Sequence, residues 1–272
     1  MPGKILVYDD NCPLCSWYSS LFVRYEFLEK EGRVPFSAID PALLSSIDFN
    51  RSRNEIPLLN TSTGQVQYGI DALLELLSQK WSWIKHAGNA QPLNWLLRKL
   101  YKFISYNRKV IVAKKCGTGK IDCAPDYNGV YRYAFILFIW LLNSFLFSGI
   151  VSHAIVLFHL PGIRGLHFYG IAAIFLLLNI LMGFAFKKQI AAEYLAQLGV
   201  SSLIISLILF TSLSIFSNKI VVLTFCCLAL IAGAREYIRR MQYAGVLECR
   251  PSIAGANIIS GLIVILSLAG LL

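Results

Sequence analysis

Two observations predict an α/β N-terminal domain followed by an all-α transmembrane domain of about five helices. The first is the placing of charge. Of 272 residues, 1–130 carry 16 Lys and Arg against 12 Asp and Glu, whereas 131–272 carry 9 against 3. The second is hydropathy: 56% of the residues are hydrophobic and mean hydropathy is +0.60. After Tyr131 they gather in runs near the ~20 apolar residues that a helix needs to cross a bilayer core. Such a chain is not an ordinary soluble domain, a disordered chain or a small disulfide-stapled module. The expected division is 1–126, long enough for one small domain with its own core, and 127–272.

In the first domain Lys4 to Tyr8 is a short aliphatic run with β-branched and aromatic members, hence a buried strand. It runs into Asp9, Asp10, Asn11, Cys12, Pro13, Leu14 and Cys15, after which Trp17, Leu21, Phe22, Tyr25 and Leu28 recur at helical spacing. Pro13 fits the first helical position, where a missing N–H costs nothing, and residues 29–32 close the helix. Val34 to Ile39 reads as a second strand and Pro41 to Ile47 as a short helix or turn. Ile56 to Leu59 and Val66 to Tyr68 form a hairpin turning at Gly64, and a helix follows from Ile70 to Leu77.

That order, with C-x-x-C opening the first helix and Pro57 just before the third strand, resembles the thioredoxin and glutaredoxin fold. More narrowly, VYDDNCPLC, TGQVQYGIDALLELL and YKFISYNRKVI followed by Cys116 resemble the DCC-type thiol-disulfide oxidoreductase family, over residues 4–126. The expected fold is therefore an α/β thioredoxin-like domain joined to transmembrane helices; the latter resemble no family. Asp10 stands where the family usually has Gly after the Asp.

The chemistry follows from position. Cys12 sits where a helix begins, so backbone N–H groups and the helix dipole stabilise its thiolate, and in such motifs the thiol pKa falls to roughly 3.5–7.5. Cys12 is the expected nucleophile. Cys15, one turn on, is within reach to resolve a mixed disulfide and is the expected buried partner. The resemblance implies a cis Pro57 beside the reactive thiol, leaving neighbouring backbone free to pair with an extended substrate. Asp9 is the family-matched candidate to accept or relay the Cys15 proton, whereas Asp10 and Asn11 read as turn or cap residues. No cofactor is expected. The rival chemistry is a zinc site of Cys12, Cys15, Cys116 and Cys123, although the second pair's gap is longer than usual.

From Arg98 to Lys120 there are eight basic residues and no acidic one, and Leu93, Leu96, Leu97, Leu100, Phe103 and Ile104 fall at helical spacing. This amphipathic connector is expected to pack its apolar face on the domain and turn its cations to anionic lipid rather than nucleic acid. Five spans are expected: 131–151, 166–186, 196–216, the short 220–234, and 253–272. They place Lys187, Lys188, Arg235, Arg239, Arg240 and Arg250 on the side of the N-terminal domain and only Arg164 and Lys219 opposite, so that side is expected to be cytoplasmic and the C-terminus outside, in a bacterial cell membrane. The opening MPGKILVYDD has an acidic pair where a signal peptide needs an apolar core. The cysteines are therefore expected in a reducing compartment. Asn143, Asn179 and Asn257 read as ties between helices. Glu193, His153, His159 and His167 fall at helix ends, where no role is required of them. Cys226 and Cys227 read as membrane packing.

These readings combine into a membrane-anchored thiol-disulfide oxidoreductase acting on a protein or low-molecular-weight thiol or disulfide. Two alternatives stand beside it: a zinc-stabilised non-enzymatic module on a membrane anchor, and a transporter or lipid- or quinone-handling protein with a regulatory redox domain.

Overall fold

The computed structural model describes residues 3–113, 125–162 and 164–268. The chain divides into two compact units, Met1–Tyr131 and Arg132–Leu272.

The first unit is built on a four-stranded sheet ordered β2-β1-β3-β4. Strand β1 (Lys4–Tyr8) is central because its apolar run suits burial on both faces; Leu6 and Val7 are fully buried. Helix α1 (Pro13–Arg24) follows, and then β2 (Arg33–Pro35), which pairs with β1 in parallel. The strand expected over Val34 to Ile39 stops early because Pro35 has no N–H to continue the ladder, and a 3₁₀ turn follows over Phe36–Ala38. Two short helices, α2 (Pro41–Leu44) and α3 (Phe49–Ser52), lead to β3 (Pro57–Asn60), antiparallel to β1, and β4 (Val66–Tyr68), antiparallel to β3. Gly64 turns the hairpin with a φ of +69°, a region open to glycine at no steric cost. One parallel and two antiparallel pairs in this order are the α/β thioredoxin-like arrangement.

Helices α4 (Ile70–Leu77), α5 (Ser82–Asn89) and α6 (Leu93–Val112) complete the unit. One core gathers Leu6, Tyr8, Leu28, Ile56, Leu58, Ala72 and Leu76, and a second gathers Val7, Phe36, Ile39, Ile47 and Tyr68. Helix α1 ends sooner than its periodicity predicts. Glu26 takes a φ of +57°, and the Phe27 and Leu28 N–H groups both turn back to the Phe22 carbonyl. That closure satisfies end carbonyls in the manner of a left-handed cap and sends Phe27 and Leu28 into the core.

Helix α6 departs from expectation more sharply. The face turned to the domain carries Asn94, Tyr101, Ser105 and Arg108, held by Asn94 Nδ2 donating to the Gly88 carbonyl (3.0 Å) and the Ile56 N–H donating to the Tyr101 hydroxyl (2.9 Å). The apolar residues Leu93, Leu96, Leu100 and Ile104 are exposed instead of packed on the domain.

Four helices are long and apolar enough to cross a membrane: α7 (Gly129–Phe158), whose first three residues belong to the first unit, and α8 (Arg164–Gly183), α9 (Lys188–Ile215) and α10 (Lys219–Tyr243) of the second. The short span expected over 220–234 is the interior of α10, which continues through its polar end. A single turn, α11 (Val246–Cys249), precedes α12 (Pro251–Leu268), where the fifth span was expected. Among the described residues α12 supplies a shorter apolar helix, Pro251–Val264, and the rest of the expected span, 269–272, lies outside the described residues.

Polar side chains tie these helices. Asn143 Nδ2 donates to the Gly199 carbonyl (3.0 Å), and Asn257 Nδ2 donates to both the Tyr194 and Tyr237 hydroxyls (2.8 and 3.0 Å). Asn179 accepts from the Tyr194 hydroxyl. Glu193, expected in water at a helix end, pairs with the buried Arg132 (3.4 Å). Cys226 is half-buried against the core of Ile150, Val151, Phe168, Leu209, Leu213, Val222 and Ala229.

Candidate active site

The β1–α1 junction places the two cysteines. Cys12 is the N-cap of α1, with extended φ and ψ of −100° and 109°, and Pro13 opens the helix. In that position the Cys12 Sγ accepts a hydrogen bond from the Cys15 N–H at 3.4 Å. The Cys12 sulfur thus occupies the place where a capping oxygen usually satisfies an orphan N–H. Cys12 and Cys15 are both buried, at 4% and 3% exposure, and neither is in a disulfide.

Hydrogen bonding from the Cys15 side chain, followed by the Cys15 N–H and the Arg108 charge, lowers the Cys12 thiol to about 7 against the opposing effect of burial. The same thiol contact, with burial, drives Cys15 upward. The pair is therefore polarised: one sulfur ionises near neutral pH while its neighbour holds its proton.

Asp9, at the end of β1, is 5% exposed and turns back on the same junction. Its Oδ1 accepts from the Asn11 N–H (3.0 Å), its carbonyl accepts from the Cys12 N–H (3.2 Å), and burial raises its carboxyl pKa against the pull of Arg108. Asp10, by contrast, is exposed and accepts from the Ser37 hydroxyl (2.9 Å). Arg33 fixes α1 to the sheet: its Nε donates to Ser19 Oγ (2.9 Å), its Nη2 donates to the Ser16 carbonyl (3.0 Å), and its guanidinium lies 3.9 Å from the Tyr8 ring centroid.

The residue that sequence reasoning missed is Arg108. It stands in a basic run that reads as a solvated face, yet it is 8% exposed, with Nη2 3.5 Å from Asp9 Oδ2 and donating to the Arg53 carbonyl (3.0 Å). Burial works against its charge, but Cys15, Cys12 and Asp9 more than offset that, and its pKa lies above the ordinary value. Spacing carried the only signal. Tyr101, Ser105 and Arg108 share one face of α6, and Arg108 falls inside the quoted YKFISYNRKVI. Tyr18 and Tyr101 lie close enough to Cys15 to interact with it electrostatically, and burial holds both phenols well above their usual range.

Pro57 departs from the expectation drawn from the resemblance. Among the described residues the cis peptide bond precedes Pro92, so the Ile56–Pro57 bond is trans. The backbone beside it is also occupied: the Ile56 N–H donates to the Tyr101 hydroxyl and the Ile56 carbonyl accepts from the Gly69 N–H (2.9 Å each). Pro57 begins β3 opposite Tyr68, a position where a missing N–H is tolerated. Those two Ile56 groups are not free to pair with an extended substrate.

Asp9, Cys12 and Cys15 bring three ligand-type atoms within 4.8 Å of one another. The other expected zinc ligands, Cys116 and Cys123, lie outside the described residues. A guanidinium beside Asp9 disfavours a dication there, because like charges in a buried site repel strongly.

Residues 6–114 match the family model described as DCC1-like thiol-disulfide oxidoreductase. No curated protein and no solved structure matches the chain. The match takes in Asp9, Cys12, Cys15 and Arg108 together, and stops short of the apolar helices.

Proposed function

We propose that the chain is a membrane-anchored thiol-disulfide oxidoreductase whose DCC1-like domain exchanges dithiol for disulfide. One observation carries this reading: a capping cysteine lowered to about 7 lies beside a second cysteine pushed upward. In the reductive direction the Cys12 thiolate attacks one sulfur of a substrate disulfide. A Cys12–substrate mixed disulfide forms and the other substrate sulfur leaves as thiolate. Cys15 then gives its proton to the Asp9 carboxylate and attacks Cys12 Sγ, forming the Cys12–Cys15 disulfide and releasing the second substrate thiolate. Two electrons pass from the protein to the substrate. The reverse sequence oxidises a dithiol, and the difference in reduction potential sets the direction.

The anchor is the set α7–α10. Of the cations near their ends, Lys187, Lys188, Arg235, Arg239, Arg240 and Arg250 fall on the side from which α7 enters, and Arg164 and Lys219 fall opposite. This bias favours a cytoplasmic DCC1-like domain.

The test uses the full-length chain in detergent, equilibrated in glutathione redox buffers and quenched with acid. Cys15→Ser is expected to trap a glutathione adduct on Cys12, and Cys12→Ser to trap none. Asp9→Asn is expected to slow resolution of that adduct by about 10² or more, the usual worth of a placed proton acceptor. An adduct on Cys15 alone, or one tightly held zinc per chain protecting both thiols, would overturn the reading.

A further inference from the structure

Helix α6 turns Asn94, Ser105 and Arg108 inward and leaves a row of aliphatic side chains outward, an orientation unfavourable in water. Leu93, Leu96, Leu100 and Ile104 are 41–51% exposed, and they recur at three- and four-residue spacing along α6. Contiguous apolar surface of this kind marks a surface that meets something other than solvent. Trp95, on the same helix, is 59% exposed and Trp83, on the adjoining α5, is 66% exposed. The Lys99 ammonium stands 5.9 Å from the Trp95 ring centroid.

Three features choose the occupant. Lys85, Arg98 and Lys102 are paired with Glu75, Asp71 and Glu55, but Lys99 is exposed on the same helix as the stripe, and its charge favours an anionic partner. Tryptophan beside exposed leucines and lysines is the composition of a helix lying in a membrane interface. Residues 113–128 alone separate α6 from α7, the first helix of membrane-crossing length. A bilayer is therefore always within the tether's reach, which removes the concentration requirement that a free partner would face.

We propose that α6 lies in the surface of an anionic bilayer, with Leu93, Leu96, Leu100 and Ile104 among the upper acyl chains and Lys99 at the head groups. This goes beyond the thiol chemistry and rests only on the membrane reading of α7–α10. It also places the redox pair. Arg108, one turn beyond Ile104, touches Asp9, so an embedded α6 holds Cys12 and Cys15 beside the membrane surface.

The test reconstitutes the full-length chain in nanodiscs whose lipids carry a diazirine on the upper acyl chain, in phosphatidylcholine alone or mixed with phosphatidylglycerol. After irradiation, labelled peptides are mapped by mass spectrometry. Peptides spanning 93–104 are expected to label along with α7–α10, at least two-fold more in the anionic discs. In Leu96→Glu/Leu100→Glu, labelling of 93–104 is expected to fall several-fold while α7–α10 labelling and thiol exchange stay unchanged. Wild-type protein labelled on α7–α10 but not on 93–104 would overturn the proposal. So would equal labelling in the two lipids, or cross-linking of 93–104 to a second copy of the chain.

Discussion

At the scale of single residues, the candidate site is a problem in placing one negative charge. A thiolate buried at 4% exposure needs compensation, because desolvation alone raises a thiol pKa. Cys12 receives it from the Cys15 side chain and N–H first and from Arg108 next. Alkylation of reduced full-length protein by iodoacetamide is thus expected to rise with pH through a midpoint near 7 at Cys12, and Cys15 is expected to stay unreactive there. Arg108→Met is expected to move the midpoint up toward the ordinary thiol range of ~8.5, and Arg108→Lys to restore part of the shift. An unmoved midpoint in Arg108→Met would remove Arg108 from this role. The sign for stability follows. Because folding lowers the Cys12 pKa, the reduced form gains stability relative to Cys12→Ser above the unfolded thiol value and loses it as pH falls through about 7. The cysteines and Asp9 were legible because the motif is local: Asp9, Cys12 and Cys15 lie within seven residues. Arg108 was not, since its partner Asp9 is 99 residues away and nothing in a basic run distinguishes the cation that turns inward.

At the scale of elements, legibility tracks how local the determinant is. The spans of β1 and α4 were readable to the residue, because a glycine, Gly3 or Gly69, precedes each and the apolar run stops at the polar Asp9 or Ser78. Strand β2 was overextended where a proline breaks the ladder, and α1 where a left-handed Glu26 reverses the chain. The amphipathic pattern of α6 was plain, yet the pattern says only that a face is apolar and leaves open what covers it. Element placement also rests on one close approach. At Gly32, just before β2, an added Cβ would stand 2.6 Å from the Lys4 carbonyl oxygen of β1. That neighbour is backbone and cannot rotate away, so Gly32→Ala must push β2 from β1. The expected cost is about 1–3 kcal/mol, the range for overpacking a tight site, read as a lower urea midpoint for the first unit. The substitution is also expected to loosen Arg33, whose guanidinium anchors α1, and so to weaken the acid shift of Cys12 alkylation. A variant with unchanged midpoint and unchanged alkylation profile would show that the β1–β2 spacing does not support the site.

At the scale of the whole molecule, each unit closes its own core. The clusters around Leu6 and Val7 draw every member from the first unit, and those around Ile150 and Tyr194 draw every member from the second. A Cys12–Cys15 disulfide therefore constrains only the chain that folds onto the four-stranded sheet, while the second unit depends on ties such as Asn143 to Gly199 and Asn257 to Tyr194. Helix–helix hydrogen bonds in apolar surroundings contribute about 0.6–2 kcal/mol each, and none of them senses the redox state of a thiol pair. Calorimetry of the full-length chain in detergent is thus expected to give two heat-absorption transitions. A dithiol reductant is expected to shift the transition of the first unit and leave the second in place, and Asn143→Leu is expected to lower the second while leaving the first. A single transition moved as a whole by both treatments would mean that the two cores fold as one cooperative body, and redox chemistry at Cys12 would then be felt throughout the membrane helices.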